Sequence, residues 1–122
     1  MPLKYIIRGR RKVSEDEMET GTNRIPGISG AVLTRKMALW AERNGISLKI
    51  HATDIIGAGG APAGCEATIR SWDRHVRINT VENEMSTVVC GRERKTEACP
   101  RTVIELGVHL SKVFTSRQGL PG

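Results

Sequence analysis

Aromatic residues are scarce in this chain of 122 residues: Tyr5, Trp40, Trp72 and Phe114 are all of them. The core must therefore be mainly aliphatic, and an aromatic that falls on a polar face needs a reason other than packing. The cysteines, Cys65, Cys90 and Cys99, are odd in number and have no CxxC spacing, which speaks against a disulfide framework. No apolar run approaches the roughly 18 residues of a membrane span, and the strand-like start lacks a signal-peptide layout. Together these absences predict a cytosolic protein with no membrane partner. Neither GxxxxGK[ST] nor GxGxxG occurs, so no nucleotide cofactor is expected. The RNP pattern, KH loop, zinc-finger spacing and clear helix-turn-helix are missing too, which removes sequence-specific readout from the expectations. No repeat or linker divides the chain, so residues 1–122 read as one domain.

Charge is what the chain has in excess. Nineteen Lys and Arg against thirteen Asp and Glu give a formal +6, a balance suited to nucleic acid, a phosphorylated small ligand or an acidic protein. The densest basic run comprises Lys4, Arg8, Arg10, Arg11 and Lys12, with no acid among them, and Glu15, Asp16, Glu17 and Glu19 follow at once. Ser14 with Glu17 matches a capping box, although a mobile, solvated loop over 14–27 fits this stretch equally well.

Periodicity then sets the elements. Leu3 to Gly9 alternates as a strand. Ile28 or Ser29 to Asn44 has helical spacing, with Val32, Leu33, Met37, Trp40 and Ala41 near one stripe and Gly45 as its C-cap. Ile46 to Thr53 alternates again, placing Lys49 and His51 on its outer side. Ile55 to Gly64, rich in glycine, reads as a long plain connection, and Met85 to Cys90 as a strand. Gly91 to Pro100 reads as a polar loop. Thr102 with Glu105 forms a capping box ahead of Val103, Leu106, Leu110 and Val113, and 115–122 reads as a frayed tail. The predicted fold is α+β: a largely antiparallel sheet with two main helices packed on one face.

Ala67 to Thr80 is the most informative stretch. With Asp73-Arg74 as a two-residue turn, Trp72 pairs with His75, Arg70 with Arg77 and Thr68 with Asn79 on one face, while Ile69 and Ile78 pair on the other. Asp-Arg lacks the glycine such a turn favours, and a single long strand would instead put Ile69 and Val76 on opposite faces.

The polar face of this hairpin, with Lys49 and His51 beside it, suits two kinds of chemistry. Binding needs only converging cations and an aromatic on which a base can stack, which Lys49, Arg70, Trp72, Arg77 and the Lys4 to Lys12 run would supply. Cleavage of RNA without a metal needs a base, an acid and a phosphate-binding cation, for which His51, His75 and Glu66 join the arginines as candidates. The primary expectation is a small nucleic-acid-binding protein, and the alternative is a ribonuclease of toxin type. A third is a non-enzymatic inhibitor or ligand-binding protein of a mobile element, and self-association through an exposed strand would suit all three. Cys90, Cys99 and His109 lack the short knuckle spacing of a structural zinc site, so no metal site is expected. Cys65 as a nucleophile would require His51 or His75 as its neighbour.

Overall fold

The computed structural model describes residues 3–6 and 24–115. Its strands are β1 (Leu3–Ile6), β2 (Lys49–Ile56), β3 (Pro62–Ser71), β4 (Arg74–Asn79), β5 (Glu84–Val89) and β6 (Arg92–Glu97), and its helices are α1 (Gly30–Asn44) and α2 (Val103–Thr115). The strands form one antiparallel sheet in sequence order, β1-β2-β3-β4-β5-β6, and the fold is α+β. The capping pair Ser14 and Glu17, the cations Arg8, Arg10, Arg11 and Lys12, and the tail beyond Thr115 lie outside the described residues.

Both helices begin, and α1 also ends, where local chemistry places them. Ser29 caps α1 by accepting from the Val32 amide at 3.2 Å, and Gly45 closes it at φ 64°, a left-handed conformation that costs glycine nothing. At α2 the Thr102 hydroxyl accepts from the Glu105 amide at 3.1 Å. The Glu105 carboxylate returns to the Arg101 amide at 3.0 Å, one residue earlier than a strict capping box requires. Leu33, Met37 and Trp40 of α1 and Val103, Leu106 and Leu110 of α2 pack with Ile50, Ile69, Val76 and Ile78 of the sheet in one aliphatic core. The helices meet where Trp40 lies on Gly107; a Cβ there would come within 2.8 Å of the indole. Lys36 of α1 is buried although it is charged.

Four expectations are corrected. The segment 24–27 is not part of a mobile loop: Arg24 bridges Thr102, and Ile25 is buried with its amide on the Arg101 carbonyl at 2.9 Å. Ile55 to Gly64 is the tip of a hairpin rather than a long connection, for β2 and β3 stay paired out to Ile56 and Pro62, and the Gly57 amide bonds Ala61 across the turn at 2.8 Å. Gly91 to Pro100 contains β6. Cys90 and Gly91 both take positive φ (53° and 77°), as a tight hairpin turn requires, and the strand they introduce is a charged sheet edge with no apolar alternation to announce it.

The fourth correction is the central hairpin, which turns at Trp72-Asp73 and not at Asp73-Arg74. Arg70 therefore pairs with His75, Ile69 with Val76 and Thr68 with Arg77. Moving the turn by one residue changes every partner by two positions, so each side chain keeps its face. An odd slip would instead expose Ile69, Val76 and Ile78, costing about 5–9 kcal/mol at roughly 1.5–3 kcal/mol per side chain. The cost of the observed turn is a tryptophan at φ 57°, of order 1–3 kcal/mol. Arg74 offsets it. Placed on β4 and buried, it donates from Nη1 to the Val113 carbonyl near the C-terminus of α2, where a cation is favoured by the helix dipole. Asp73 holds the turn from the other side, accepting from the Cys90 amide at 2.9 Å.

Candidate functional site

Among the described residues both helices lie on one side of the sheet and nothing covers the other face, where the strand registers arrange the side chains in rows. Lys49, Arg70 and His75 lie side by side on β2, β3 and β4; the next row is His51, Thr68, Arg77 and Ser86, and the next is Thr53, Glu66, Asn79 and Glu84. Neighbouring strands are about 4.8 Å apart, so Arg70 is within reach of both Lys49 and His75. The backbone register also sets Lys4 of β1 opposite His51.

Three contiguous hollows follow these rows. One of about 550 Å³ is lined by Lys49, His51, Thr68, Arg70, His75 and Arg77. It runs at one end into a smaller hollow of about 340 Å³ lined by Ser47, Leu48, Lys49, Arg70, Ser71 and Trp72. At the other end, across His51, Thr68 and Arg77, lies a hollow of about 500 Å³ whose lining carries the carboxylates of Glu66, Glu82, Glu84 and Glu93. The face is thus bipolar, cationic toward Trp72 and acidic toward Glu66. Among the described residues no ion pair joins Lys49, Arg70 or Arg77 to a carboxylate. Trp72 is 94% exposed at the turn, beyond the end of the strand on which it was expected.

His75 sits between the arginines. Burial pushes its imidazole below the usual value, and the neighbouring Arg77 and Arg70 guanidinium groups push the same way, so the ring adds no fourth charge to the basic hollow at neutral pH. Its Nε2 is covered and has no hydrogen-bond partner, a position from which it cannot reach a ligand without moving. His51, by contrast, is exposed at the junction of the two larger hollows. Glu66 is held on the same face by Asn79, whose Nδ2 donates to Glu66 Oε1 at 3.3 Å; the Asn79 Oδ1 accepts from the amides of Val81 and Glu82 at 3.0 and 2.9 Å.

The cysteine alternatives separate in space. Cys65 is fully buried on the helix side of β3, away from His51 and His75, and burial, with Asp54 and Cys99 nearby, raises its thiol to about 11. A thiol so placed is a poor nucleophile. Cys90 donates to Asp73 at 2.9 Å, Cys99 donates to the Glu84 carbonyl at 3.2 Å, and His109 contacts the Thr87 hydroxyl at 3.2 Å. Among the described residues no group of three or more His, Cys, Asp or Glu side chains is placed to hold a metal ion.

The acidic end is what sequence reasoning missed. Glu84 shares a row with Glu66, a relation readable by carrying the strand alternation one residue before Met85. Glu93 reaches the face only because β6 exists, and no local pattern marks that strand. No protein-family model matches the chain, and no curated protein or solved structure matches it either.

Proposed function

We propose that the chain binds a short stretch of single-stranded nucleic acid along the open sheet face. Lys49, Arg70 and Arg77 take the phosphates, and Trp72 stacks an unpaired base at the end of the trough. The observation that carries this reading is the continuity of the hollows: three cations without carboxylate partners among the described residues lead directly to a tryptophan that is 94% exposed. An exposed indole stabilises nothing in the fold, whereas base stacking on an aromatic contributes about 1–3 kcal/mol. The carboxylates of Glu66, Glu82, Glu84 and Glu93 close off the other end, so the favoured ligand is short and its path runs along β3, flanked by β2 and β4, rather than over the whole sheet.

Titration of labelled twelve-nucleotide single strands and the matching duplex, read by anisotropy and by tryptophan emission, tests this. Trp40 is buried, so quenching by ligand reports on Trp72. Single strands should bind more tightly than duplex and quench emission, and Trp72→Ala should weaken binding by roughly 5- to 150-fold. Equal affinity of the parent and Trp72→Ala, or a preference for duplex, would refute the proposal.

A further inference from the structure

We infer that the same face cleaves RNA by acid–base transesterification, with Glu66 as base, His51 as acid and Arg77 at the reacting phosphate. This rests on the binding reading above, which supplies the position of the strand. The geometry comes from the register. Thr68 lies between His51 on β2 and Arg77 on β4, and Glu66 is two residues along β3 on the same face, diagonal to both. Diagonal neighbours of this kind are about 7–8 Å apart at the backbone and within reach of long side chains. His51, Thr68 and Arg77 lie at the junction where the basic hollow of about 550 Å³ meets the acidic one of about 500 Å³, and Glu66 lines the acidic side of that junction. Glu66, His51 and Arg77 surround a threonine that is short enough to leave space between them.

Like Glu93, which accepts from the Thr96 hydroxyl at 2.5 Å, Glu66 is a carboxylate of this hollow held by a hydrogen bond. Asn79 donates to its Oε1 at 3.3 Å, and Asn79 is itself fixed by the two backbone amides that bond its Oδ1. Asn79 is thus a positioning residue, oriented by the turn between β4 and β5.

In the reaction the ribose O2′ attacks the adjacent phosphorus while Glu66 takes the hydroxyl proton. The P–O5′ bond breaks and the leaving O5′ receives a proton from the His51 imidazolium. The Arg77 guanidinium balances the charge that gathers on the non-bridging oxygens. The products are a 2′,3′-cyclic phosphate and a free 5′-hydroxyl, so atoms and protons balance without water or a redox partner. Each acid–base group of this type contributes about 10²- to 10⁴-fold to the rate.

The full chain, with chelator present, is incubated with a DNA twelve-mer carrying one ribonucleotide, and products are read by mass. Binding of the all-deoxy twelve-mer is measured in parallel. Cleavage at the ribonucleotide alone is expected, leaving a 2′,3′-cyclic phosphate. Glu66→Gln and His51→Asn should each slow it by 100-fold or more. Both residues are exposed, and a circular dichroism spectrum confirms that each variant folds. Intact ribonucleotide substrate with the all-deoxy strand bound would overturn the cleavage inference and leave the binding reading standing. Absence of binding to either strand would overturn both. Cleavage undiminished in Glu66→Gln or His51→Asn would overturn the assignment of these residues.

Discussion

Removing Arg70 and Arg77 together should change how binding depends on salt in a way that net charge alone cannot. Each phosphate neutralised on a single strand contributes about 0.7 to the slope of log affinity against log salt. The double variant Arg70→Ala, Arg77→Ala should therefore flatten the slope by about 1.4, whatever the N-terminal basic run adds to both proteins. Between 50 and 200 mM KCl, a fourfold change, the parent should lose about sevenfold more affinity than the variant, since 4 raised to 1.4 is about 7. Anisotropy of a labelled all-deoxy single strand, which has no 2′-hydroxyl, measures this across four salt concentrations. Arg35→Ala with Lys112→Ala is the control. Both side chains are exposed on helices on the other side of the sheet, and either pair of substitutions lowers the formal charge from +6 by two, to +4. Charges on that side are largely screened at a Debye length of about 10 Å in 0.1 M salt. An unchanged slope in the Arg70, Arg77 variant, or equal flattening in the control, would refute phosphate contact at this face.

Two further predictions concern the scaffold. Gly107→Ala improves helix propensity by roughly 1 kcal/mol but places a methyl within 2.8 Å of the buried Trp40 indole. Overpacking costs about 1–3 kcal/mol, so urea unfolding should show a net loss of roughly 1 kcal/mol; a gain would mean that the indole does not rest on this glycine. His75, lowered from 6.5 by burial and then by Arg77 and Arg70, resists in the folded state a proton that the unfolded chain accepts. Above pH 6.5 both states are neutral and stability is unaffected, whereas below it stability falls as pH descends toward the folded-state value. The lowered imidazole of His109 acts in the same direction. Urea midpoints at pH 7 and pH 5 should therefore differ less in His75→Gln than in the parent, and an identical difference would remove His75 from the account.

Much of the architecture is legible in contiguous residues. The stripe of Leu33, Met37, Trp40 and Ala41, with Ser29 before it and Gly45 after it, carries its own periodicity and caps, and so does α2 with Thr102 and Glu105. The open face is legible for a related reason. Ile69, Val76 and Ile78 have to be buried, and in a strand this alone turns Arg70, Arg77 and His75 outward. The site could be read only in part, because a face is a property of one strand whereas a site needs several strands in register. Glu84 and Glu93 reach the same trough as Arg77 through pairings that span most of the sheet.

Short-range periods of burial in the chain specify the fold class, the two helices with their N-terminal caps, and the faces on which Lys49 to Thr53 of β2, Ala67 to Ser71 of β3 and the residues of β4 lie. Tertiary structure decided the rest. It selected the hairpin turn through Arg74, which finds its acceptor at Val113, 39 residues away. It made a strand of Arg92 to Glu97, whose residues have no strand pattern of their own and pair because β5 presents an unpaired edge. It put Cys65 inside and closed the basic trough with carboxylates. In each case the deciding partner lies on another element, and only the assembled fold brings it near.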